Sequence, residues 1–151
     1  MQARSARVNL GWISRVAVAL CLVTAQGCSS SKPPVKLYRV AGVLQFNSQR
    51  VPSCILHFIP EKGGASTAIS GSEGQFTLLG PGGRPGAVAG RHIVWLEYRP
   101  QSPAEEMQLR EGKSSLSPEL LAALKKYGSL ESSPLKVIID NDNDNLLINL
   151  E

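Results

Sequence analysis

The sequence predicts a mainly β protein with one domain, a single seven-stranded β-sandwich that carries one short late helix. Two observations support this prediction. Runs with an apolar residue at every second position recur from Val40 onward, which is the period of a half-buried strand. Segments rich in Gly, Pro, Ser and Asn separate these runs, and such segments are typical of turns between short strands.

The first 27 residues predict a secretory signal peptide. Arg4, Arg7 and Arg15 precede an apolar run from Val16 to Val23, and small residues follow it. A helix that spans a bilayer needs about 20 apolar residues, so this run is too short for a transmembrane anchor. Removal of the three arginines lowers the net charge from +4 to +1. The basic character therefore belongs to the leader, and we expect no nucleic-acid partner.

The end of this leader resembles the lipobox of bacterial lipoproteins. Ala25, Gln26, Gly27 and Cys28 occupy the positions of that motif, in which the signal is cut just before the cysteine. The resemblance implies cleavage between Gly27 and Cys28 and attachment of lipid, palmitate included, to Cys28. It implies a cell-envelope protein whose first partner is the membrane that holds its N-terminal lipid. Ser29 is not the Asp that retains such proteins at the inner membrane, which implies the outer membrane, facing the periplasm or the cell surface.

Behind the leader, residues 28–36 are expected to form a Ser/Pro tether, and residues 37–151 the β-sandwich domain. Cys21 is lost with the leader and Cys28 would carry lipid. Cys54 then has no partner for an intramolecular disulfide, so the domain must depend on an apolar core.

The predicted strands are residues 38–46, 54–59, 66–70, 75–79, 91–99, 135–139 and 146–150. Their alternation assigns inward faces that include Leu44, Leu56, Phe76 and Val94. The third and fourth strands are expected to pair as a hairpin, and Asp140–Asn145 is expected to be the turn between the last two.

Pro100–Ser115 is polar and is expected to be a solvated excursion. The predicted helix follows, with Ser117 as its N-cap and Pro118 as its first residue. Its apolar residues repeat at helical spacing, at Leu120, Leu124 and Tyr127. A helix this short must dock on an apolar surface.

The order of several motifs resembles carboxypeptidase-regulatory-like or transthyretin-like β-sandwich modules. Residues 40–47 (VAGVLQFN) match their V-x-G-x-V opening, residues 56–60 (LHFIP) their V-x-F-x-P strand, and residues 73–76 (EGQF) their D-G-x-F hairpin. Lys126–Tyr127 and the Asn-rich turn after it resemble the tail of small lipoproteins of planctomycete-type bacteria. This transthyretin-like or Ig-like resemblance implies a non-catalytic module for support or adhesion, whose partner is an unidentified envelope protein or glycan.

Asp140, Asp142 and Asp144 are the candidate metal ligands. With Glu151 they follow the spacing of the D-x-D-x-D calcium loop. Asn145 occupies the position where that loop requires Gly, so the alternative is an Asn/Asp turn whose side chains bond their own backbone. Calcium is the one cofactor that the sequence suggests.

His57 and His92 are the only histidines, and one of them would have to serve a small envelope hydrolase. No nucleophile elbow, H-E-x-x-H motif or paired carboxylates accompany them, so we expect no enzymatic activity. Trp95, on the less buried face of its strand, is the candidate ligand surface, because an indole can stack on a sugar or a protein partner. The alternative is a Trp that only covers the sheet.

Overall fold

The computed structural model describes residues 35–151, and this part of the chain is mainly β, with several sheets and two α-helices. The strands are β1 (Leu37–Tyr38), β2 (Val40–Phe46), β3 (Gln49–Arg50), β4 (Cys54–Pro60), β5 (Ser66–Ile69), β6 (Gln75–Thr77), β7 (Ala87–Val88), β8 (Gly90–Tyr98), β9 (Lys136–Ile139) and β10 (Asn143–Leu150). The helices are α1 (Pro103–Arg110) and α2 (Pro118–Lys126), and a short 3-10 helix covers Pro81–Gly83. Neither α-helix of the described part is long and apolar enough to cross a membrane.

The strands form three sheets. In the first, here the β2 sheet, the order is β10-β2-β3, and β6 also pairs with β2. In the second, here the β4 sheet, the order is β5-β4-β8-β9, while β1 and β7 make a two-stranded sheet. The strand pairs are antiparallel except for β10 with β2, which is parallel.

One apolar core receives side chains from both larger sheets. Leu44, Leu56, Phe76 and Val94 are buried, as the alternation predicts. Phe58 of the β4 sheet meets Phe76 of the β2 sheet with ring centroids 6.3 Å apart. Of the predicted helical stripe, Leu124 and Tyr127 join this core and Leu120 packs against it, and Ala123, outside the predicted stripe, joins it too. The core thus links both sheets to α2, and burial of each large apolar side chain contributes about 1.5–3 kcal/mol.

Each of the seven predicted strands overlaps an observed strand, but the described chain has ten. The additional strands are β1, β3 and β7, of two residues each. A two-residue strand is defined only by its hydrogen bonds to a partner strand. It is too short to show the alternation of apolar and polar residues by which a sequence predicts a strand.

The prediction of a single helix is wrong, because a second helix, α1, lies within the excursion Pro100–Ser115, which is solvated as expected. Ser102 caps this helix, with its Oγ accepting the Glu105 N–H at 3.2 Å. The Glu105 carboxylate in turn accepts the Tyr98 hydroxyl at 2.5 Å and the Gln101 N–H at 2.6 Å, and the bond from Tyr98 lowers the pKa of Glu105. None of the residues of α1 is buried, so no apolar stripe marked it.

The predicted hairpin of the third and fourth strands is wrong in its pairing, and the predicted turn between the last two strands connects two different sheets. β9 pairs with β8 in the β4 sheet, whereas β10 pairs with β2, so the short link at residues 140–142 crosses between sheets. Likewise β5 pairs with β4 and β6 with β2, and only one bridge, Thr67 to Leu79, joins the two segments. Alternation assigns the face of a strand and leaves its partner undetermined.

The parallel pairing of β2 with β10 is irregular and requires a glycine. The register shifts between Asn143 and Leu146. At this shift a Cβ on Gly42 would overlap the carbonyl oxygen of Leu146. Gly42 is therefore the residue that lets the two backbones approach.

Candidate functional site

The outward side of the β4 sheet carries an apolar surface centred on Trp95. Leu56, Phe58, Val94 and Leu96 point into the core, so the residues between them point outward. We call this outward set the Trp95 face, and its members are Ile55, His57, Ile59, Ile93, Trp95 and Ile138. Most of them are half-buried against each other, and Ile138 is 69% exposed.

Trp95 and His57 form a stacked pair at the middle of this face. They are directly opposite each other on β8 and β4, with ring centroids 3.8 Å apart and an interplanar angle of 7°. Glu97 lies at the rim, where its Oε2 is 3.7 Å from His57 Nε2. The pair therefore presents a fixed aromatic body with one carboxylate beside it, which suits recognition by stacking and a polar contact.

An open groove adjoins the Trp95 face. It has a volume of about 1010 Å³ and shares Ile55 with that face. Ile69 and Leu79, which are 53% and 48% exposed, line it from one side, and Leu147, 56% exposed, from the other. The sequence does not predict the groove, because its walls come from β2, β5, β6 and β10, whose mutual placement no local pattern encodes. The one available signal was the outward position of Ile55 and Ile69.

The Asp140–Asn145 segment bonds mainly to the protein's own backbone. Asp142 Oδ1 accepts the N–H of Arg39 at 2.7 Å, and Asn143 Oδ1 accepts the N–H of Asn145 at 2.9 Å. Asp140 and Asp144 are exposed. Within residues 35–151 no three His, Cys, Asp or Glu side chains come together as a metal site would require. Only the Asn143 contact is of the Asn/Asp turn kind, because Asp142 bonds a backbone group 103 residues away in the chain.

His92 is fully buried, whereas His57 is only partly buried. Its Nδ1 lies 3.1 Å from the carbonyl oxygen of Gly90, so Nδ1 carries the proton that it donates. Its Nε2 is buried and has no hydrogen-bond partner in the described chain, and the ring meets Phe58 edge-on at 6.2 Å. Burial lowers the pKa of His92, which keeps the imidazole neutral.

Cys54 is likewise enclosed, with no exposed surface. Burial raises the pKa of its thiol to about 12. A nucleophilic cysteine needs an accessible thiolate at neutral pH, so Cys54 behaves as a small core residue.

The predicted cleavage site at Gly27 and the lipidation site at Cys28 lie outside the described residues. Comparison of the chain with protein-family models, with curated proteins and with solved structures finds no match. The family resemblances and the lipidation of Cys28 therefore stay predictions, and the Trp95 face is the site that the geometry offers.

Proposed function

We propose that this chain is a lipid-anchored cell-envelope protein whose β domain is a non-catalytic module for support or interaction. Its anchor is the lipid on Cys28, and its location is the outer membrane, facing the periplasm or the cell surface. The basic start, short apolar run and Gly27-Cys28 pair support the anchor. The domain at residues 35–151 supports the rest, because it has its own core and a fixed outward surface.

The finer fold that we propose is a β-sandwich of the transthyretin-like or Ig-like kind. Two four-stranded sheets that contribute to one core support this proposal. The parallel β10 and the short additional strands would be this chain's own variations on that plan.

The absence of catalysis that we propose follows from the surroundings of the candidate groups. His92 is inaccessible to a substrate, and Cys54 is both buried and protonated. His57 stacks on Trp95, and no hydroxyl lies within hydrogen-bonding distance of its Nε2 in the described chain. A Ser-His or Cys-His hydrolase needs its nucleophile within about 3 Å of the base that activates it.

The Trp95 face is the observation that carries the interaction role. Its members are apolar or aromatic although they lie on the outward side of the sheet, where the charged Arg91, Glu97 and Lys136 border them. An envelope protein or glycan that stacks on Trp95 and meets Glu97 is the partner class that this chemistry fits.

Two experiments test the proposal separately. Growth with radioactive palmitate should label the wild-type chain, and Cys28→Ala should abolish the label. Equal labelling of the variant would refute the proposed anchor.

The second experiment tests the surface. Benzoylphenylalanine placed at Ile93 of the Trp95 face should give cross-links to envelope components, and Trp95→Ala should reduce them. The matched control is the same probe at the exposed Met107 of α1, which belongs neither to the Trp95 face nor to the groove. Cross-links that are equal at both positions, or unaffected by Trp95→Ala, would contradict the interaction role.

A further inference from the structure

The segment by which the chain enters the domain lies at one end of it, together with several loops. Leu37 fills the space beside Gly80, Val88 the space beside Gly63, and Arg84 donates to the carbonyl oxygen of Val35 at 3.5 Å. The Asp142 carboxylate bonds the backbone of Arg39 at the same end. We call this end, formed by residues 35–39, 61–65, 80–91 and 140–142, the entry end.

The entry end is positively charged, and the opposite parts of the domain are not. Its exposed ionisable residues are Lys36, Arg39, Lys62, Arg84, Arg91, Glu61, Asp140 and Asp142, which sum to a charge of +2. The rest of residues 35–151 carries −2. Two of the three acids are already engaged: Glu61 lies 3.9 Å from Arg91, and Asp142 accepts the Arg39 N–H. Lys36, Lys62 and Arg84 have no carboxylate within 4.0 Å among the described residues.

The length of chain before the domain limits how far this end can lie from a lipid. Seven peptide units separate Cys28 from Val35, and each spans at most about 3.6 Å, for a reach of roughly 25 Å. An anchor on Cys28 therefore keeps Val35, where the chain enters the domain, within about 25 Å of the lipid, and the charge of the surface around it decides whether that end faces the bilayer. Within about 8 Å, the Debye length at physiological salt, the bilayer surface attracts basic groups if its lipids are anionic.

From this charge distribution and this reach, we infer that the entry end docks on anionic phospholipid headgroups through Lys36, Lys62 and Arg84. Docking turns the rest of the domain, with its charge of −2, away from the membrane and leaves the Trp95 face open to partners. The inference rests on the proposed lipid anchor. It adds an orientation and a lipid class that the anchor alone does not give.

The test uses the processed lipoprotein, purified from membranes and reconstituted into vesicles. A dye on Ala65→Cys reports on the entry end, and the same dye on Ser72→Cys reports on the other end of β5; both positions are exposed. Cys54 does not compete for the dye, because it is buried. Vesicles contain phosphatidylcholine alone or with phosphatidylglycerol, plus a trace of lipid with a spin-labelled headgroup that quenches at short range.

We expect stronger quenching at position 65 than at position 72, and only in the vesicles that contain phosphatidylglycerol. Salt at 1 M, where the Debye length is about 3 Å, should remove the difference. Lys36→Glu with Lys62→Glu should also remove it, since each basic group near such a surface contributes about fivefold to the docked population. Lys113→Glu with Lys125→Glu makes the same change of charge elsewhere and should leave the quenching intact.

The failures are distinguishable. A purified chain that does not float with vesicles of either composition refutes the lipid anchor and this inference with it. A chain that floats but shows equal quenching at positions 65 and 72, or quenching unaffected by phosphatidylglycerol, refutes the inference and leaves the anchor. Equal loss in both charge variants would show general attraction of the whole domain, which also refutes docking by the entry end.

Discussion

Acid should destabilise the domain through His92. The imidazole is neutral and fully buried, and its Nε2 has no partner in the described chain that could stabilise a second proton. Burial lowers its pKa below the ordinary value of 6.5. The unfolded chain therefore binds this proton more readily than the folded chain does. Stability is complete above about pH 6.5 and falls as the pH falls toward the lowered pKa.

The loss of unfolding free energy in acid is limited by the single proton that the unfolded chain binds at His92 and the folded chain does not. Each pH unit between the two pKa values removes at most about 1.4 kcal/mol, so about 2 kcal/mol is the upper limit of the loss from pH 6.5 to pH 5.0. Urea unfolding followed by Trp95 fluorescence at pH 8.0, 6.5 and 5.0 measures this loss. His92→Leu, of similar size, should lose the hydrogen bond to Gly90, at about 1 kcal/mol, and should show a much smaller pH dependence.

His57→Gln is the matched control, because it removes the other histidine and leaves the buried His92 in place. Carboxylates titrate mainly below this window, so they add little to it. If His92→Leu loses as much stability between pH 6.5 and 5.0 as the wild type, the assignment to His92 is wrong.

Three further outcomes are expected. Phe58→Ala should lower the free energy of unfolding by about 3–5 kcal/mol in urea titrations, because the ring is fully buried between the sheets, whereas the exposed Ile69→Ala should cost well under about 1 kcal/mol. Gly42→Ala should cost about 3 kcal/mol or prevent accumulation of soluble protein, since its methyl group would overlap the Leu146 carbonyl; wild-type stability would refute that contact. Asp142→Ala should cost about 1 kcal/mol through loss of its backbone hydrogen bond, and millimolar calcium should leave the melting temperature of the wild type unchanged; a calcium-dependent rise that Asp142→Ala abolishes would favour the calcium loop.

What the sequence could predict depends on whether the physical signal is local. The inward positions of Leu44, Phe58 and Val94 follow from alternation along one strand, and the structure buries all three. The start of α2 follows from its cap, since Ser117 Oγ accepts the Leu120 N–H as capping residues do. These features need no knowledge of the rest of the chain.

The remaining features depend on distant partners. α1 buries none of its residues, and the Glu105 carboxylate that binds Tyr98 gives no periodic pattern. The partner of β10 is β2, which alternation in either strand cannot specify. For the candidate site, the outward position of Trp95 was predictable. Its stacking on His57 was not, because the stack requires the β4–β8 register.

The parallel pair of β2 and β10 sets an order of events for a newly made chain. Arg39, at the start of β2, and Asp142, at the start of β10, are 103 residues apart. At about 5–20 residues per second, a ribosome needs roughly 5–20 s to make that stretch. For all of that time β2 lacks the neighbour that completes its sheet. A polypeptide that leaves the cytosol as an unfolded thread would benefit from such a delay, because premature folding would block its passage through the export channel.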